Sequence, residues 1–138
     1  ETVAIQGPFG VFTADRRLSD RVVLLAGGVG VTPLRALLED LPRHADIDLI
    51  WRASTADDLP LKAEIEALAE ARSARIHYMV GSRRDFPLDR KQLLAAVPDL
   101  PSAEVFLCGP NGLIENAVRT LRELGVPKSK IHDESFAY

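Results

Sequence analysis

Five short apolar or β-branched runs, at residues 21–26, 47–52, 75–80, 104–108 and, more weakly, 130–134, alternate with helical patterns, and this alternation constrains the fold more than any other feature. Leu34, Leu37, Leu38 and Leu41 follow the first run at helical spacing. Leu61, Ile65 and Leu68 follow the second, Leu93, Leu94 and Val97 the third, and Ile114, Val118 and Leu121 the fourth. Helix starts are marked at Thr32-Pro33, with Thr32 as cap and Pro33 at the first helical position, at Asp58 before Leu59-Pro60, at Asp89 with Gln92 three residues on, and near Asn111. Gly125 and Pro127 stop the last helix. Each right-handed crossover returns the chain parallel to the strand it left, so strict alternation builds a parallel sheet. The chain is expected to be α/β: a five-stranded parallel sheet in the order 3-2-1-4-5 with helices on both faces. The winding reverses between strands 1 and 4, and ligands bind in the crevice at the carboxyl ends of such strands.

A length of 138 residues suits one domain with a full core, and 46% hydrophobic with 27% charged residues is ordinary globular usage. A net charge of -3, with arginines scattered rather than interleaved with aromatics, excludes a nucleic-acid partner. Cys108 is the only cysteine, which excludes an internal disulfide, a cysteine-ligated zinc and a four-cysteine iron–sulfur cluster, and suits a reducing, cytoplasmic compartment. His44, His77 and His132 lie far apart, so no metal site is expected. No apolar run approaches the ~20 residues that cross a bilayer. The chain begins at Glu1 without methionine and reads as part of something longer. Residues 1–20 stand outside the alternation: a short strand pattern, then the turn Gly7-Pro8-Phe9-Gly10. They are expected to be the last strand of a preceding domain and its connector, with residues 21–138 the ligand-binding domain.

Two glycine-bearing segments fall at the switch point, AGGVGVTP at residues 26–33 and CGPNG at residues 108–112. Each places glycine after a strand and before a helix, where bare backbone N–H groups and a helix N-terminus face an anion. Read as G-x-G-x-x-G, the first has Pro33 where the dinucleotide fingerprint has its third glycine. Strand-to-helix turns also use glycine simply to reach positive φ, which leaves a purely structural reading open for either segment alone.

Gly7-Pro8-Phe9-Gly10-Val11-Phe12, AGGVGVTP, Cys108-Gly109-Pro110 and the terminal Glu134-Ser135-Phe136, in that order and spacing, resemble the pyridine-nucleotide domain of the ferredoxin-NADP reductase superfamily. Within it they most resemble the C-terminal domain of bacterial ferric-reductase-like and NADPH-oxidase-like membrane flavoproteins. The resemblance covers essentially the whole chain and implies a Rossmann-like fold. It implies that Gly27, Gly28 and Gly30 take the nucleotide pyrophosphate, with Thr32 close to the nicotinamide and Val29 and Pro33 of the same loop also cofactor-binding. It also implies that Cys108-Gly109-Pro110 lies beside the site of hydride transfer, that Phe136 lies against a flavin ring, and that Glu134 is a carboxylate near the same place. Alternatives stand beside these roles: Cys108 as a small buried hydrophobe, Phe136 as core packing, Glu134 as a solvated strand-end charge. The FAD would be held by a separate β-barrel domain, in the same full-length chain and not by this segment alone, with a haem-containing membrane domain as a further partner. Such chemistry needs orientation and exclusion of water rather than an acid–base pair, which agrees with a sequence lacking any Ser/His/Asp arrangement.

Where NAD-binding relatives of the general fold carry an acidic residue about 20 residues past the glycines, strand 2 here ends Trp51-Arg52-Ala53-Ser54. The position of Arg52 resembles the 2′-phosphate arginine of NADPH-using relatives, with Ser54 and Arg83 assisting and Arg84 solvated. NADPH is therefore the expected nucleotide. Two functions remain: an electron-transfer domain delivering hydride to FAD, with electrons passed to ferric iron, haem or oxygen, or a nucleotide-binding regulatory module without redox work. Cys108-Gly109-Pro110 and the aromatic tail favour the first.

Overall fold

The strands are β1 (Arg21–Gly27), β2 (Asp46–Ala53), β3 (Arg75–Val80), β4 (Glu104–Pro110) and β5 (Ile131–Phe136), in a computed structural model that describes residues 19–136. All neighbouring pairs are parallel and the order is β3-β2-β1-β4-β5, as the alternation predicts. The turn at residues 7–10 and the rest of the opening segment to residue 18 lie outside the described residues. β1 is buried without interruption from Val22 to Gly27, the pattern of a central strand covered on both faces. Val22, Leu24 and Ala26 pack with Leu49, Trp51 and Phe106 beneath α1 (Val31–Asp40) and α2 (Lys62–Ala71). Val23 and Leu25 turn the other way, with Ile50, Val105 and Leu107, beneath α3 (Arg90–Ala96) and α4 (Asn111–Glu123).

Helix ends follow local chemistry, in two places differently from the sequence expectation. α1 begins at Val31 with Gly30 as its cap, so Thr32 and Pro33 are its second and third residues and no side chain caps it. A 3-10 turn over Gly28–Gly30 has already started the winding, and Pro33 is tolerated because first-turn N–H groups have no intrahelical acceptor. α2 begins at Lys62, not at Asp58. Pro60 disfavours helical backbone at the residue before it, and Leu59 accordingly sits at φ -114°, ψ 74°, closing a 3-10 turn over Ala56–Asp58. α3 starts as expected, the Gln92 backbone N–H donating to Asp89 Oδ1 at 3.0 Å. α4 ends in a Schellman motif, with N–H groups of Gly125 and Val126 donating to the carbonyls of Arg122 and Leu121, each at 3.0 Å.

At the amino ends of the strands, remote from the crevice, buried Asp48 accepts from Arg21 Nη2 at 2.6 Å, Arg75 Nη2 at 2.8 Å and Arg75 Nε at 2.9 Å, and pairs with His77 Nε2 at 2.7 Å. Burial by itself would raise this carboxyl. The hydrogen bonds from Arg75, His77 and Arg21 outweigh it and hold the pKa at about 2.

Candidate nucleotide-binding site

β1 and β4 run side by side with Ala26 opposite Cys108, and each continues straight into helical backbone. The expected second loop is no loop: β4 runs through Pro110, and α4 starts at Asn111. Gly28 sits at φ +55°, open to glycine at no steric cost. Gly30 is constrained by contact instead, since a β-carbon there would stand 2.0 Å from the Cys108 carbonyl oxygen. The Gly28 carbonyl accepts from Val31 N–H along the turn and from the Trp51 indole N–H at 3.1 Å. The N–H groups at the start of such a turn have no intrahelical acceptor, and an anion is a suitable partner for them.

The crevice is a cleft of about 620 Å³, within the range of small-ligand sites. Gly27, Gly28 and Val29 form one side and Pro110, Asn111, Gly112, Leu113 and Asn116 another. Arg52, Ala53 and Ser54 at the end of β2, Asp58, and Arg83, Phe86 and Pro87 from the segment between β3 and α3 complete it.

Arg52 shares the face of Ile50, turned toward the α3 and α4 side, and the segment after β3 crosses over it. It is only 6% exposed. Its Nε donates to the Phe86 carbonyl at 3.2 Å, and its Nη1 to the carbonyls of Ala53 at 2.5 Å and Met79 at 3.3 Å. The Phe86 ring lies 5.7 Å from the guanidinium carbon. Burial first, and then the positive charge of Arg83, push the Arg52 pKa down. Arg52 is thus a fixed cation in the wall. Ser54 and Arg83 are exposed at the same cleft.

Cys108 is buried, and burial with the neighbouring Glu134 charge pushes its thiol up to about 11. Glu134 stands opposite Cys108 and Phe136 opposite Pro110 in the β4–β5 register. Phe136 is half-buried against the core beneath α1 and α2, the face that also holds Cys108.

The residues singled out in the sequence therefore divide. Gly27, Gly28, Val29, Arg52, Ser54, Arg83 and Pro110 line the cleft. Gly30, Thr32, Pro33, Cys108, Gly109, Glu134 and Phe136 lie off it, along the start of α1 and the β4–β5 pair. Sequence reasoning missed Asp58, Phe86, Pro87 and Asn116. Asn116 was legible in principle, four residues after Gly112 and so on the same helix face. Phe86 and Pro87 lie in a stretch with no periodicity and carried no signal.

Residues 24–119 match the model of the oxidoreductase NAD-binding domain. The chain belongs to that family. This NAD-binding domain is 34% identical to a flavohemoprotein of Bordetella pertussis, over 99% of the chain and 37% of that protein. It is 33% identical to ferredoxin–NADP reductase B of Sorangium cellulosum, over 98% of the chain and 62% of that protein. Among solved structures it superposes on the flavohem-like FAD/NAD binding domain of a nitric oxide dioxygenase from Vibrio cholerae with a TM-score of 0.72 and 25% identity, over 85% of this chain and 51% of that one. The domain thus spans less than two thirds of these relatives. The bare turn at Gly28, the side-chain-free contact at Gly30 and the basic wall of the cleft fit a dinucleotide. No helix among the described residues is long and apolar enough to cross a membrane.

Proposed function

We propose that this NAD-binding domain holds NADPH and positions its nicotinamide for hydride transfer to FAD carried by a β-barrel domain of the same full-length chain, with electrons passing on to ferric iron, haem or oxygen. The observation that carries the choice of nucleotide is the pair of cations on one wall of the cleft, Arg52 and Arg83; burial first, and then the Arg83 charge, push the Arg52 pKa down. A 2′-phosphate between them relieves their repulsion. Arg52, tied to three carbonyls, supplies a fixed positive field, while Arg83 and Ser54 are the exposed groups that make direct contact. This assigns the main reading of the phosphate to Arg83 rather than to Arg52.

The bound dihydronicotinamide supplies the hydride, and the chain's own residues bind, orient and exclude water. The turn at Gly28–Gly30 holds the pyrophosphate, and Thr32 at the start of α1 lies toward the nicotinamide end. Cys108, a neutral thiol, with Glu134 and Phe136 on the adjoining strand, forms the flank against which the nicotinamide and flavin meet. One observation favours NADH instead: the Asp58 carboxylate, held by the Thr55 hydroxyl at 3.2 Å, also lines the cleft and suits an unphosphorylated ribose. Calorimetric titration of NADP⁺ and NAD⁺ into the full-length protein separates the two. A charge-assisted contact predicts NADP⁺ tighter by about tenfold or more, with the advantage shrinking at high salt and disappearing in Arg83→Ala. Equal or reversed affinities would overturn the NADPH reading.

A further inference from the structure

The segment between β3 and α3, residues 81–89, forms one wall of the cleft, and its polar backbone is held by side chains from three separate elements. Gln92 on α3 spans two of its residues: Nε2 donates to the Asp85 carbonyl at 2.6 Å, and Oε1 accepts from the Leu88 N–H at 2.9 Å. Arg52 on β2 takes the Phe86 carbonyl between them, and Asn116 Nδ2 on α4 donates to the Pro87 carbonyl at 3.0 Å. Four consecutive residues, Asp85 to Leu88, thus each have a backbone group bound to a side chain outside the segment. Within it, the Ser82 carbonyl accepts from Phe86 N–H at 2.9 Å and the Ser82 hydroxyl from Asp85 N–H at 3.2 Å, closing a tight turn around Arg83 and Arg84. Leu88, fully buried, stands at φ +54°. A bulky L-residue keeps that conformation only where its surroundings over-determine it, and such over-determined strain concentrates at binding sites.

We propose that Gln92 is a positioning residue for nucleotide choice: it fixes the turn that presents Arg83 to the cleft. The inference rests on the reading of Arg83 as the phosphate contact. Gln92 itself does not line the cleft. The sequence marks it as the partner of a helix cap, yet its backbone N–H alone serves the Asp89 cap, and its amide grips the preceding segment instead. An exposed arginine contributes to selectivity only when its backbone is held in place, because otherwise ordering it on binding offsets the contact.

The test compares wild type, Arg83→Ala, Gln92→Leu and the double variant of the full-length enzyme by the ratio of kcat/KM for NADPH to that for NADH. In Gln92→Leu the ratio falls by about fivefold or more, toward that of Arg83→Ala, through a higher KM for NADPH. Its kcat and its NADH kinetics stay within about twofold of wild type, and the double variant falls no further than Arg83→Ala, as for two residues acting through one contact. Amide exchange at residues 82–88 speeds up in Gln92→Leu. A wild-type ratio in Gln92→Leu, with the ratio lost in Arg83→Ala, overturns the role of Gln92 and leaves the nucleotide reading standing. A wild-type ratio in Arg83→Ala overturns both. Should Gln92→Leu fail to fold, Gln92→Glu keeps the acceptor for Leu88 and loses the donor for Asp85; it is expected to lower the ratio by less, and a wild-type value there overturns the proposal.

Discussion

Gly30 and Cys108 meet backbone to backbone, a β-carbon on Gly30 falling 2.0 Å from the Cys108 carbonyl oxygen and 2.5 Å from its carbon. The turn after β1 and the last residues of β4 are therefore one packed unit, and the cleft's two helix N-termini are set by that contact. Gly30→Ala must push the strand ends apart. It is expected to lower stability by about 2 kcal/mol or more and to weaken nucleotide binding, measured by denaturant unfolding and titration. Gly112→Ala is the contrasting case, with nothing within 4 Å of the added carbon in the first turn of α4. It is expected to leave stability unchanged or raise it by up to about 1 kcal/mol.

The Cys108 thiol, pushed up to about 11, is neutral at every physiological pH. At pH 8 about one molecule in a thousand carries the thiolate, against about a quarter for an ordinary cysteine of pKa ~8.5. Aromatic disulfide reagents at pH 8 should modify the folded protein more than about a hundredfold more slowly than the denatured one. Equal rates would place the thiol in solvent.

Cys108→Ala and Phe136→Ser test the flank in the full-length flavoprotein. Cys108→Ala should slow flavin reduction more than it weakens nucleotide binding, because it disturbs alignment rather than phosphate contacts. Phe136→Ser should ease nicotinamide entry and tighten NADH binding. Stopped-flow rates and affinities unchanged in both variants would reduce these residues to core packing.

How much of this was legible in the sequence depends on the interaction. The sheet order followed from alternation, because period and crossover handedness are local. The Asp89 cap was equally local. Helix starts at Thr32 and Asp58 were misplaced because a 3-10 turn begins the winding ahead of Thr32, and Pro60, just after Asp58, delays α2 to Lys62. Arg52 lies at the cleft, where its place at the end of β2 puts it, but its burial was not readable. That depends on the Phe86 carbonyl, brought over it by a segment with no periodic pattern, and on the Met79 carbonyl of the adjoining β3. The grip of Gln92 on Asp85 and Leu88 was hidden behind its capping role for the same reason.

Acid should loosen the sheet at its amino end without touching the site. The Asp48 pKa of about 2 lies below the ~3.9 of an unfolded aspartate, so its contribution is present in full above about pH 4 and is lost as the pH falls through the folded value. The shift corresponds to roughly 2–3 kcal/mol, and Asp48→Asn should flatten the acid limb of a stability-versus-pH curve. An acid limb as steep in Asp48→Asn as in wild type would assign the loss to other carboxylates.

The central claim is that this cleft delivers hydride from NADPH to a flavin held outside the domain. Anaerobic stopped-flow mixing of NADPH with the flavin-loaded full-length protein tests it most directly, with the flavin absorbance as readout. The flavin should bleach at a rate that saturates with NADPH, and half-saturation should need less NADPH than NADH, by about tenfold or more in wild type and by little in Arg83→Ala. A flavin that stays oxidised while NADPH binds would make the domain a nucleotide-binding module without redox work.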